Sequence, residues 1–244
     1  MFRTVLLSTL LLTQFSVNAC NLQLDTPGRS DADKKRDAVS LPCAMTALLP
    51  VQAGDTVLDL LGGGGYFSEL LAQQVGANGK VLLHNNKAYL PYVDKQLEAR
   101  LADNRLANVV RLDAELDALP LQPASLDAVY FIMGYHDMYH VSADWKIDPK
   151  QLMAQIYQAL KPGGRMLVVD HNAPAGSGVD AAQELHRIEA AYVSNDLKSF
   201  GFELVTDSAV LRNSDDDYTK SVFDKAVRGK TDRFVLVVKK PLKG

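Results

Sequence analysis

The sequence predicts an α/β fold, with a seven-stranded, mostly parallel sheet, helices on both faces and an antiparallel C-terminal strand. The period changes from strand to helix across four glycines: Val57, Leu58 and Leu60 form a short apolar run, and Phe67, Leu70, Leu71 and Val75 recur at helical spacing. Further apolar runs at 81–83, 109–112, 126–133 and 165–170 are separated by helical stripes, the alternation that a parallel sheet requires. After residue 200 the runs at 202–205, with 210–211, and at 233–239 have no helix between them, which predicts closing antiparallel strands.

A chain of 244 residues, 47% hydrophobic and 23% charged, suits one domain with a full core. A net charge of -3 argues against a general nucleic-acid binder. Residues 1–19 read as an export signal: Arg3 gives a positive start, Val5 to Leu12 an apolar centre, and Val17-Asn18-Ala19 a cleavage pattern. No later run is apolar enough to span a bilayer. Cys20 follows the cleavage pattern in a loose lipobox, so it either carries a lipid anchor or pairs with Cys43 in an oxidising compartment; a buried free thiol is the third reading for Cys43. Residues 20–30 are polar and read as a tether, and 31–244 as the folded domain.

Within the domain, Leu41, Met45 and Leu48 or Leu49 make a helical stripe over 38–49, and Gly54-Asp55 turns into the first strand. Asp59 near that strand's end and Gly62 to Gly65 after it sit where open α/β sheets bind ligands, beyond the carboxyl ends of the strands. The second strand, 81–83, runs into His84-Asn85-Asn86, in the place where an acidic residue grips a ribose in nucleotide sites. Asn85 or Asn86 can still hydrogen-bond a ribose, without a carboxylate's charge. A helix over 89–101 leads to the third strand, which ends in Asp113-Ala114; Asp113 reads equally as a loop cap. Asp148-Pro149 starts a helix that Lys161-Pro162-Gly163-Gly164 ends. Residues 180–200 form a helix in two pieces that Gly201 closes.

The fourth strand opens into Gly134-Tyr135-His136-Asp137-Met138-Tyr139-His140, the densest set of reactive groups in the chain, and the fifth ends in Asp170-His171 on the same side. His136 suits a general base with Asp137 orienting it, and His171 is a second candidate base. Tyr135 and His140 are candidate substrate contacts. So are Arg212 and Arg233, for an anionic group, against the alternative of ion pairing with Asp215 to Asp217. Histidines 136 and 140 with their aspartates lack a metal-site spacing, and no metal is expected.

Asp59, Gly63 and Gly65 fall on the pattern Asp/Glu-x-Gly-x-Gly-x-Gly, with Leu61 in place of its first glycine. Together with Ser125-Leu126-Asp127-Ala128-Val129 and Leu160-Lys161-Pro162-Gly163-Gly164-Arg165, this stretch resembles the class I S-adenosylmethionine-dependent methyltransferases over most of 55–170. The tyrosine-histidine loop, His186-Arg187 and the polar runs 212–218 and 228–234 further resemble a group of bacterial methyltransferases with N-terminal export signals. The resemblance implies a Rossmann-like fold and S-adenosylmethionine as cofactor. It places Asp59, Gly62, Gly63, Gly65 and Asn85 around the cofactor and Asp113 and Ala114 against its adenine. The resemblance does not supply the acceptor, which is expected to be a small molecule or an exposed side chain. An exported enzyme must find outside the cytosol a cofactor that is made within it. That conflict raises the alternative of a non-catalytic envelope binding protein on the same fold, altered at Leu61 and Asn85.

Overall fold

The computed structural model describes residues 20–242, so the export signal expected over 1–19 lies outside the described residues. Two short helices come first, α1 (Asp31–Ser40) and α2 (Pro42–Leu48). One helix over 38–49 was expected, but Pro42 disfavours the α conformation in the residue before it, and Leu41 takes φ 43° between the two helices and is exposed. The segment 20–30 lies along the domain: Leu22 is buried in the core, the Gln23 amide donates to Gln73, and buried Arg29 pairs with Asp37 at 2.7 Å. Cys20 and Cys43 are joined as a disulfide, with Cα atoms 5.2 Å apart, so the sulfur of Cys20 is committed to Cys43.

Then follow β1 (Thr56–Leu60), α3 (Tyr66–Val75), β2 (Lys80–Asn85), α4 (Leu90–Leu101), β3 (Val109–Asp113) and β4 (Leu126–Ile132). The chain continues with α5 (Pro149–Ala159), β5 (Leu160–His171), α6 (Ala182–Leu185), α7 (Ala190–Ser199), β6 (Glu203–Ser208) and β7 (Arg233–Lys239). The strands form one sheet in the order β3-β2-β1-β4-β5-β7-β6, parallel except that β7 runs antiparallel to both its neighbours. The expected closing pair is present, with β6 running to Ser208 and leaving Val210 and Leu211 outside it.

Alternate residues of each central strand enter two cores, one on each face. Leu58, Leu60, Val129, Phe131 and Val168 pack with α5 and α7, whereas Val57, Tyr130, Leu167 and Val169 pack with α2 and α3. Burial on both faces explains why these strands read as unbroken apolar runs. Asp148 caps α5 by accepting from the amides of Lys150 and Gln151, with Pro149 in the first turn. The helical stretch after β5 breaks at His186, which caps α6 at φ 53°. Among the described residues, no helix is long and apolar enough to cross a membrane.

Candidate active site

The carboxyl ends of β1, β2, β4 and β5 meet above the glycine loop. Each glycine there answers a separate constraint. A Cβ on Gly62 would stand 2.7 Å from Asp59 Oδ2, and one on Gly65, already at φ 79°, 2.6 Å from Leu83 Cδ1. At Gly63, with φ 58°, only Val93 Cγ1 comes as near as 4.0 Å, so the loop is open to an approaching ligand at that residue. Leu61, in place of a glycine, adopts φ 52° and is buried in the core. Asp59 stands behind the loop: it accepts from Ser68 Oγ at 2.6 Å, and burial pushes its carboxyl up to about 6. It therefore positions the loop and the start of α3.

The end of β2 braces the same loop from the side. Asn85, fully buried, accepts from the Gly63 amide at 3.0 Å and donates to the Gly63 carbonyl at 2.9 Å. In this conformation its amide serves Gly63 and is not presented to a ribose. His84 Nδ1 accepts from the Leu61 amide at 3.3 Å, which leaves Nε2–H to donate to the Ala114 carbonyl at 3.0 Å. Asp113, by contrast, is exposed and pairs with Arg111 at 2.7 Å. Burial holds the His84 imidazole down to about 4. The unfolded chain therefore takes up this proton near the ordinary histidine value while the folded chain resists it. The stability contributed by neutral His84 is complete above about pH 6.5 and is lost as pH falls toward 4, up to ~3 kcal/mol. Nitrogen NMR of the ring is expected to show the Nε2–H tautomer at pH 6 and protonation only near pH 4; a cationic ring at pH 6 would contradict this geometry.

Over the loop lie groups that periodicity and motif do not reveal. Arg100 of α4 pairs with Asp33 of α1 at 2.7 Å and with Glu69 of α3, and donates to the Gly64 carbonyl. Arg36 of α1 stacks on Tyr66, 4.2 Å from its ring centroid, and burial lowers its pKa although Asp59 and Tyr66 oppose that. Their spacing along the chain carries no signal, because the network joins three helices.

Beyond β4 the chain makes a 3-10 turn, His136–Met138, which buries His136 against β5. Asp170, fully buried, accepts from the His136 amide at 2.8 Å and from His136 Nδ1 at 2.8 Å, and Asp137 Oδ1 lies 3.2 Å from His136 Nε2. Burial opposes charge on this ring, but Asp170 and Asp137 outweigh it and hold His136 up to about 10. Asp137 is correspondingly held well below the usual carboxylate range, against its own burial. A ring kept protonated at neutral pH does not accept a proton, so the geometry favours another base than the expected His136. His171 is the opposite case: burial pushes it down to about 4, it is neutral at pH 7, and its Nδ1 lies 2.7 Å from Thr231 Oγ1.

Of the expected substrate contacts, Tyr135 is fully buried and spends its hydroxyl on Asp196 of α7 at 2.8 Å, so it serves the core instead. His140 stacks on His186, with ring centroids 4.8 Å apart. Arg212 pairs with Asp232 at 2.9 Å and not with the neighbouring Asp215 to Asp217. Arg233 faces His171 in the β5–β7 register and donates to the Val39 carbonyl, and its buried Nε has no partner. Both arginines line one hollow of about 300 Å³ that also includes Leu41 and Thr231.

Residues 58–168 match the model of a methyltransferase domain. A ubiquinone/menaquinone biosynthesis C-methyltransferase of Hahella chejuensis is 26% identical over 182 residues, 72% of this chain and 68% of that protein. Its counterpart in Methylococcus capsulatus is 29% identical over 162 residues, 64% of this chain and 60% of its own length. This chain thus spans about two thirds or less of these relatives. In fold it is similar to a SAM-dependent methyltransferase of Aquifex aeolicus, at TM-score 0.62 and 18% identity, covering 89% of this chain and 95% of that one. It is also similar in fold to the [4+2]-cyclase SpnF, at TM-score 0.59 and 15% identity, covering 90% and 86%. The matched domain, the sheet order and an open glycine beyond the end of β1 agree: residues 58–168 carry a methyltransferase domain, on the fold of the class I S-adenosylmethionine-dependent methyltransferases.

Proposed function

We propose that the protein is exported and methylates a small acceptor bearing an anionic group, with His171 as the general base. The reading is carried by a neutral imidazole at the end of β5 beside an arginine, Arg233, whose buried Nε lacks a partner. S-adenosylmethionine, when bound, supplies the electrophilic methyl group. Asp59 and Asn85 hold the glycine loop in shape, and Gly63 leaves the space through which a ligand approaches the backbone. With Nδ1–H donating to Thr231, His171 Nε2 carries the lone pair that takes the acceptor's proton. Arg233, with Arg212 at the rim of the same hollow, orients the acceptor's anionic group.

The test is formation of S-adenosylhomocysteine in the presence of carboxylated phenols and related small acceptors. His171→Gln is expected to lower kcat by about 100-fold or more, with cofactor affinity unchanged. Full turnover in His171→Gln would remove this histidine from the chemistry.

Export is supported by the disulfide of Cys20 and Cys43, a bond that an oxidising compartment maintains, and the bonded sulfur favours a released protein over a lipid-anchored one. A mature N-terminus at Cys20 in the envelope fraction, with the disulfide intact by mass, is the expected finding. Intact Met1 in the cytosol would contradict export.

A further inference from the structure

Three donor atoms from two separate stretches of chain converge between β4 and α6. His136 Nε2 lies 3.2 Å from Asp137 Oδ1, and His186 Nδ1 lies 3.3 Å from the same ring nitrogen and 3.8 Å from the same carboxylate oxygen. Three points at these separations lie on a circle of radius about 2.0 Å, the length of a bond from zinc to nitrogen or oxygen. We propose that His136, Asp137 and His186 bind a divalent transition-metal ion of the zinc and iron class.

Each donor is held by an outer partner, as metal ligands commonly are. Asp170 accepts from His136 Nδ1 and thereby directs Nε2 toward the other two donors. The Tyr89 hydroxyl donates to Asp137 Oδ2 at 2.9 Å, which leaves Oδ1 for the centre, and Trp145 Nε1 fixes the Asp137 carbonyl at 2.7 Å. His140 stacks on one side of His186 and Phe223 meets it edge-on, each with centroids 4.8 Å apart. The three side chains are only 5%, 12% and 22% exposed, so water competes weakly for the position between them.

Two imidazoles and one carboxylate suit zinc, iron(II), cobalt or nickel better than magnesium or calcium, which prefer oxygen. Three protein ligands leave at least one position for a water or for an acceptor oxygen, whose pKa the ion would lower. Motif spacing does not reveal the full set, because His186 stands 50 residues beyond His136, at a helix break that no metal motif marks. Metal binding stands independently of methyl transfer, because the three donors converge whether or not an acceptor is present.

The full chain, stripped with chelator, is titrated with Co2+ as the probe. The expected result is saturable uptake of one equivalent, with the visible absorption of Co2+ on nitrogen and oxygen ligands, displaced by Zn2+, and a higher Tm with Zn2+ present. His186→Asn tolerates the left-handed backbone at this position and is expected to weaken Co2+ binding about 100-fold or more; Asp137→Asn is expected to do the same. Tyr89→Phe, which removes one outer hydrogen bond, should weaken it about tenfold. No Co2+ spectrum at millimolar metal overturns the proposal, and so does wild-type affinity in a folded His186→Asn protein, which would place the ion elsewhere.

Discussion

Asp216→Ala is expected to cost about 3–5 kcal/mol of stability and to lower Tm by about 10 °C. Arg187 is fully buried, and its guanidinium meets both oxygens of Asp216, at 2.8 and 3.1 Å. The same arginine donates to the carbonyls of Asn172 and Lys220, and Asp216 accepts from the Asp232 amide. One ion pair therefore fastens the long 209–232 segment to the ends of β5 and α6. Removing the carboxylate leaves a guanidinium buried with its charge unpaired, and that residual charge is the larger part of the cost. A double replacement, Arg187→Met with Asp216→Leu, leaves no stranded charge and is expected to recover much of the loss. Urea unfolding of the wild type and the two variants measures this. A cost below about 1 kcal/mol for Asp216→Ala would mean that water reaches the pair.

Gly65→Val is expected to lower cofactor affinity by about 100-fold or more, whereas Gly54→Ala leaves it unchanged. Both positions have a left-handed φ, 79° and 94°, so both substitutions carry backbone strain of about 1 kcal/mol or more. They differ in space: a Cβ at Gly65 runs into Leu83 Cδ1 and lies 3.0 Å from Arg100 Cδ, while at Gly54 nothing stands within 4 Å. The collision at Gly65 must displace the end of β2 or the arginine that ties α4 to Glu69, and either shift moves the loop. Gly64→Ala is the intermediate case, because its Cβ meets the flexible end of Gln96. Calorimetry on the folded variants separates loss of the loop from loss of the protein.

The fold was legible because both faces of the sheet are buried. Strands such as Val57–Leu60 and Leu126–Ile132 then show as plain apolar runs, and Gly62 to Gly65 marks the first crossover. The break at Leu41 follows from Pro42, which disfavours the α conformation in the residue before it and outweighs the helical stripe over 38–49. The site was legible only in part. Asp59, the glycines, Asp170 and His171 sit where chain order places them, at strand ends. The protonation of His136 was not, since it depends on two carboxylates, one of them 34 residues away. Tyr135 reads like a pocket residue, yet its ring packs into the core and its hydroxyl meets α7. Arg36, Arg100 and His186 reach the site from helices or breaks with no local pattern, so only the folded chain assembles them.

The most direct test of the central claim is calorimetric titration of the protein with S-adenosylmethionine and S-adenosylhomocysteine. Binding with Kd on the order of micromolar is predicted. It should be lost in Gly63→Val, which fills the open position in the loop, and weakened in Asp59→Ala, which frees Ser68 and the start of α3. Absence of binding at millimolar ligand, in protein shown to be folded, would contradict the cofactor site and with it the enzymatic reading.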